Sequence, residues 1–183
     1  MQSMTSERAT SEQSPQWPAR IHAALRALRV RQVAYVPDAG HARLIEHCHR
    51  DASMRTTVLT TEEEGIALAC GAWLGGERGV VLMQSSGVGN CINMLSLPNA
   101  CRMPLAMIVT MRGEWGEFNP WQIPMGSTTC RSLELAGVTT FRVDREDEVA
   151  ETVETAIGGA FDTLSAVAVV LSQRFLGRKT WTK

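Results

Sequence analysis

Apolar positions along this chain recur in two ways, at a three-to-four residue period and as short continuous runs, and the two take turns from Trp17 to Leu171. Ile21, Ala24, Leu25 and Leu28 share one face of a helical period, with Arg20, Arg26 and Arg29 on others, which predicts an amphipathic helix over Trp17 to Val30. Gln32 to Val36 is a β-branched and aromatic run that stops at Pro37-Asp38-Ala39-Gly40, a turn signal, before a second helical pattern holding Leu44 and Ile45. The alternation continues with a strand over Thr56 to Thr60, an Ala- and Gly-dense helix over Glu62 to Leu74 and a strand over Val80 to Gln84. A glycine turn then leads to a helix from Cys91 that Pro98 should end near Leu97. Leu105 to Thr110 is apolar at every position, as in a parallel strand covered on both faces. Arg112 to Thr129 shows no period and holds Trp115, Phe118 and Trp121, so it reads as a long functional or interfacial loop. A short helix (Arg131 to Ala136), a strand (Thr140 to Val143), a helix (Glu146 to Leu164) and a last strand (Ala166 to Leu171) follow. Strands alternating with helices predict an α/β fold: an open, mainly parallel sheet with helices on both faces.

Composition narrows the function classes. At 183 residues with 44% hydrophobic content the chain can bury a core without disulfides, and residues 17–178 read as one domain between a polar mobile leader (1–16) and a short tail (179–183). A formal net charge of −1 with neither sign segregated argues against nucleic acid as a partner. Five cysteines without a C-x-x-C pair suit a reducing cytoplasm, and with no long apolar run the chain reads as cytoplasmic, with no membrane span. His41, His47 and His49 cluster without a carboxylate or Cys at ligand spacing, so no metal site is expected in this chain. His41 lies near the Pro37 turn and within reach of the active edge, whereas His47 and His49 read as surface residues.

Chemistry concentrates between Thr60 and Gly89. Glu62-Glu63-Glu64 opens a helix, where acidic side chains favour the positive end of the macrodipole and Thr60 or Thr61 can cap it. Met83-Gln84-Ser85-Ser86-Gly87-Val88-Gly89-Asn90 places a glycine turn after the next strand, and in a parallel sheet both loops face one ligand beyond the carboxyl ends of the strands. A dinucleotide fingerprint is a weak reading, since Ile92 stands where the third glycine would be.

The nine-residue offset from Glu62 to Gly71, across an Ala-rich helix, resembles that in the pyrimidine-binding domain of thiamine diphosphate enzymes. The run from Met83 to Asn93 resembles the M-Q-x-S-G-x-G-N-x-x-N loop of sulfopyruvate and phosphonopyruvate decarboxylases. Val36-Pro37-Asp38, Arg112-Gly113 and Gln122-Ile123-Pro124-Met125-Gly126 match further motifs of that family in the same order. The resemblance implies Glu62 as the catalytic glutamate, hydrogen-bonded to the cofactor pyrimidine, with a one-turn misregister shifting the role to Glu64. It implies a cofactor wall of Gln84, Ser86, Gly87, Val88, Gly89 and Asn90, and substrate contacts from Pro37, Asp38, His41, Arg112 and Gln122. Arg112 has two readings, a forked contact to a substrate anion or an ion pair tying down the aromatic loop. The aromatic side chains read more readily as loop packing or subunit interface than as a substrate cage. Ala39 stands where some relatives carry Asp or Ser, which leaves the proton donor to Asp38, His41 or a partner.

The resemblance further implies decarboxylation of a small anionic 2-oxo acid to CO₂ and an aldehyde, with thiamine diphosphate and Mg²⁺. No G-D-G occurs in this sequence, so the diphosphate and metal are expected on a separate β subunit that carries it, in a hetero-oligomer with α-α and α-β contacts. Carboligation or acyl transfer on the same cofactor, and a non-catalytic partner-binding domain, are the alternatives.

Overall fold

A computed structural model describes residues 15–178; the expected leader, but for Pro15 and Gln16, and the expected tail lie outside the described residues. Six strands form one all-parallel sheet in the order β2-β1-β3-β4-β6-β5. They are β1 (Val30–Tyr35), β2 (Arg55–Val58), β3 (Arg78–Gln84), β4 (Leu105–Thr110), β5 (Thr139–Val143) and β6 (Ala166–Leu171). One face packs α1 (Trp17–Ala27), α2 (Ala42–Arg50) and α7 (Val149–Thr163) against alternate strand residues such as Val33, Leu82, Ile108 and Val169. The other packs α3 (Glu62–Leu74), α4 (Ser85–Cys91) and α6 (Ile123–Leu135) against Val81, Met83, Met107 and Val170. Each central strand is thus buried on both faces, and its apolar run needs no alternation. No helix among the described residues is long and apolar enough to cross a membrane.

The first helix ends at Ala27, so that Val30, expected as its last residue, opens β1, and the second strand ends at Val58 rather than Thr60; four larger differences have local reasons. The expected glycine turn is helix α4, because Val88 and Cys91, three residues apart, are both fully buried and dock that turn, overriding the poor helix propensity of glycine. Pro98 does not end a helix: it lies in the first turn of α5 (Ser96–Cys101), where its missing N–H would have had no intrahelical partner. The long aperiodic stretch stops at Ile123, where α6 begins with Pro124 in its first turn; the expected start at Arg131 came from polar residues on its inner face, which buries Gly126, Thr129 and Leu133. A short α8 (Gln173–Leu176), capped by the Ser172 hydroxyl, follows the last strand.

Candidate active site at the carboxyl edge of the sheet

The loops after β1, β2, β3, β4 and β6 leave the sheet at one edge, and the residues singled out in the sequence gather there as two assemblies. The first is built on the α3–α4–α6 face. Glu62 is the first residue of α3 and is 9% exposed, whereas Glu63 and Glu64 are exposed. Neither Thr60 nor Thr61 caps α3 through its side chain; Glu64 Oε2 instead accepts the Thr60 N–H at 2.9 Å. The three acids are therefore separated by their surroundings: Glu64 closes the helix start, and Glu62 turns inward onto α4.

There, Asn90 Nδ2 donates to Glu62 Oε2 at 2.8 Å, and a Cβ at position 87 would collide with the Glu62 carboxyl group, so only glycine lets the carboxylate lie on the α4 backbone. Val88 is fully buried and offers this surface only its backbone, while Gly89 faces Met125 of α6. Burial, and then the negative charges of Glu62 and Glu63, push the Cys91 thiol up to about 12, which makes it an inert packing group behind the site. Gln84 Nε2 reaches Ser86 Oγ at 2.5 Å and Gln122 Oε1 at 3.3 Å, so Gln122 joins the Glu62 side of the edge. The spacing from Glu62 to Gly71 has no packing cause among the described residues: Gly71 is exposed in the last turn of α3, and none of them lies within 4 Å of a Cβ added there.

The second assembly lies toward α2 and the aromatic loop. Asp38 Oδ2 accepts from Thr110 Oγ1 at 2.6 Å, and His41 Nδ1 lies 3.7 Å from the same oxygen. His41 is wholly buried at the N-cap of α2, neither ring nitrogen has a hydrogen-bond partner among the described residues, and burial lowers its pKa to about 4 against the opposing pull of Asp38. Pro37 is exposed at the start of this turn.

Arg112 Nε and Nη2 fork onto Glu117 Oε2 and Oε1, each at 2.6 Å, and Phe118 lies 5.8 Å from the guanidinium carbon. Of the two readings of Arg112, the ion pair is thus present in the structure. The hydrogen bond from Arg112, helped by the Asn119 and Gly113 amides and by Gln173, holds Glu117 down at about 2 against burial. Gly113, at φ +81°, lets the chain leave the arginine directly under the Gln122 carbonyl, where a Cβ would clash. Trp115 and Trp121 are exposed, the latter by 83%, and Arg174 lies over the Trp115 ring.

Ser85 joins the two assemblies: its Oγ accepts the Arg112 N–H at 3.0 Å. Sequence reasoning missed Glu117, Thr110, Ser85 and Gln173. The one available signal was that a buried arginine needs an acid, and Glu117 is five residues away in a stretch with no period.

The chain is 34% identical over 140 residues to the sulfopyruvate decarboxylase subunit alpha of Methanococcus maripaludis, covering 76% of this chain and 84% of that protein. It is 33% identical over 153 residues to the subunit of the same name from Methanothermobacter thermautotrophicus, covering 82% and 92%. A phosphonopyruvate decarboxylase of Streptomyces viridochromogenes is 41% identical over 115 residues, 62% of this chain and 29% of that protein. Among solved structures, the 2-oxoglutarate:ferredoxin oxidoreductase from Magnetococcus marinus, with 2-oxoglutarate, coenzyme A and succinyl-CoA bound, matches with a TM-score of 0.65. That match covers 87% of this chain and 29% of the other at 11% identity, a likeness of fold. No protein-family model matches the chain.

Proposed function

This chain belongs to the family of sulfopyruvate decarboxylase alpha subunits, and from that premise we propose that residues 17–178 are the pyrimidine-binding domain of a cytoplasmic, thiamine diphosphate dependent 2-oxo acid decarboxylase. The observation that carries this reading is the Glu62 carboxylate, buried at the head of α3, laid over Gly87 and held at one oxygen by Asn90. The donor set fits the aminopyrimidine end of the cofactor: one carboxylate, the amides of Gln84 and Gln122, the Ser86 hydroxyl and the side-chain-free backbone at Gly87. It contains no second carboxylate or cation suited to a diphosphate and Mg²⁺, which fall to a β subunit bearing G-D-G.

When bound, the cofactor supplies the nucleophile and the electron sink that let CO₂ leave a 2-oxo acid. Glu62 would hold the pyrimidine ring nitrogen through a shared proton, Asn90 fixes the carboxylate for that contact, and buried Val88 and Cys91 close the wall behind it. Asp38, held by Thr110, is the acid-base group of the second assembly, and Arg112, Gln122, Pro37 and His41 shape the substrate side. Exposed Trp121 and Ile123, beside Gln122, offer an apolar edge to the partner subunit.

The test is coexpression with the G-D-G-bearing chain, followed by cofactor titration and assay with sulfopyruvate and phosphonopyruvate. The expected result is Mg²⁺-dependent cofactor binding and equimolar CO₂ and aldehyde from the mixture, with little of either from this chain alone. A mixture that neither binds cofactor nor releases CO₂ would leave a partner-binding domain as the function.

A further inference from the structure

The Glu62 assembly accounts for the cofactor side of the edge, and a cavity opens beside the second assembly on the α1–α2 side of the same edge. It has a volume of about 400 Å³ and lies among α1, the first turn of α2, the end of β4 and α8. Trp17 and Leu176 give it apolar walls, Asp38 and Arg112 of the second assembly lie in its lining, and the exposed Arg43 and Arg178 complete it. Among the described residues neither Arg43 nor Arg178 has an acidic partner, in contrast to Arg112, whose charge Glu117 takes up. The first turn of α2 adds to the same polarity: it carries no acidic residue, and its N-cap, His41, makes no side-chain cap. Two arginines with no acidic partner among the described residues, and the first turn of a helix, lining one cavity attract an oxyanion.

We propose that this cavity receives the anionic tail of the substrate, a sulfonate, phosphonate or second carboxylate, with Arg43 and Arg178 as the residues that select for it. The inference rests on the decarboxylase reading above and assigns substrate selection to this chain. Asp38 joins the two sites, because it lines the cavity while following β1, the strand between those that lead to Glu62 and to Gln84. The β2 and β4 ends, which lead to Glu62 and Arg112, are three strand spacings apart, roughly 14 Å at ~4.8 Å per step. A ligand in the cavity therefore lies along the edge from Glu62, and its anion stays clear of that carboxylate.

The test uses two readouts. In the isotopically labelled full chain, sulfoacetate should shift the Trp17 indole N–H and the Arg43 and Arg178 side-chain signals, propanoate should not, and the double variant Arg43→Ala/Arg178→Ala should lose the response. In the complex with the β subunit, the same variant should raise KM for sulfopyruvate or phosphonopyruvate by about tenfold or more, while KM for pyruvate, which lacks the anionic tail, is unchanged. Arg50→Ala, at the far, exposed end of α2, is the control and should alter neither. Sulfoacetate shifts confined to other residues, or an equal rise in KM for pyruvate, would overturn the proposal. A complex active on sulfopyruvate with unchanged KM in the double variant defeats the cavity and spares the decarboxylase reading. Sulfoacetate binding at the cavity in a complex that releases no CO₂ from any 2-oxo acid defeats that reading and leaves an anion site.

Discussion

The two assemblies at the sheet edge treat charge in opposite ways. Around Glu62 a single carboxylate is held by the neutral amide of Asn90 and rests on bare helix backbone. Around Arg112 the charges cancel internally: Glu117 takes both donors of the guanidinium fork, Gln173 bridges Glu117 to the Glu114 and Trp115 amides, and Ser85 accepts the Arg112 N–H. A group whose charge is answered within the protein organises structure, and a carboxylate left with one neutral donor is available to a ligand. Substitutions around Glu62 should therefore act on turnover, and those that break the Arg112–Glu117 pair on stability.

The largest effect expected from this contrast is on turnover. Glu62→Gln should lower kcat of the complex by roughly 10²–10⁴-fold, the range for a lost proton-transferring side chain, with the thermal midpoint of the isolated chain unchanged. A parallel drop in the midpoint would place Glu62 with the structural charges. Next is Glu117→Ala, which leaves the Arg112 guanidinium without its counter-ion and should cost about 3 kcal/mol in chemical denaturation. Near-native stability in that variant would erase the distinction between the regions.

Asn90→Ala should be milder, about a tenfold loss in kcat/KM for one lost charge-assisted hydrogen bond, again with little change in stability. A last contrast lies in pH dependence, and it separates two groups of the second assembly. His41, lowered from 6.5 to about 4 in the fold, is neutral in both states above the unfolded value, so its share of stability is complete there and lost as pH falls from about 6.5 toward 4. Glu117, depressed to about 2, contributes above the unfolded carboxylate value, and that share is lost as pH falls from about 4.5 toward 2. In denaturant titrations at several pH values, His41→Leu should flatten the upper window and Glu117→Gln the lower; the same change in both windows from either variant would contradict the assignment.

How far the sequence foretold these regions follows from how local each is. The parallel sheet was legible because its strands are continuous apolar runs, β4 from Leu105 to Thr110 being buried at every position. The ordered motifs brought Glu62 and Asn90 to attention, and the structure joins them by a hydrogen bond. Helix α4 was hidden because Gly87, which signals a turn in the sequence, is required by a neighbour distant in sequence, Glu62. The start of α6 was hidden because Gly126 and Thr129 occupy buried positions where apolar side chains would have shown a period. The Arg112–Glu117 pair lies in a stretch without regular structure, so no periodicity pointed to the partner. The cavity is assembled from residues as far apart as Trp17 and Arg178, a closeness that only the folded sheet creates.

The most direct test of the central claim is the exchange rate of the cofactor C2 proton with deuterium in the complex of this chain and its β subunit. If Glu62 is the carboxylate that acts on the cofactor, Glu62→Gln slows that exchange by roughly 10²-fold or more while cofactor affinity stays near the wild-type value. Exchange at the wild-type rate in a fully loaded Glu62→Gln complex would contradict it.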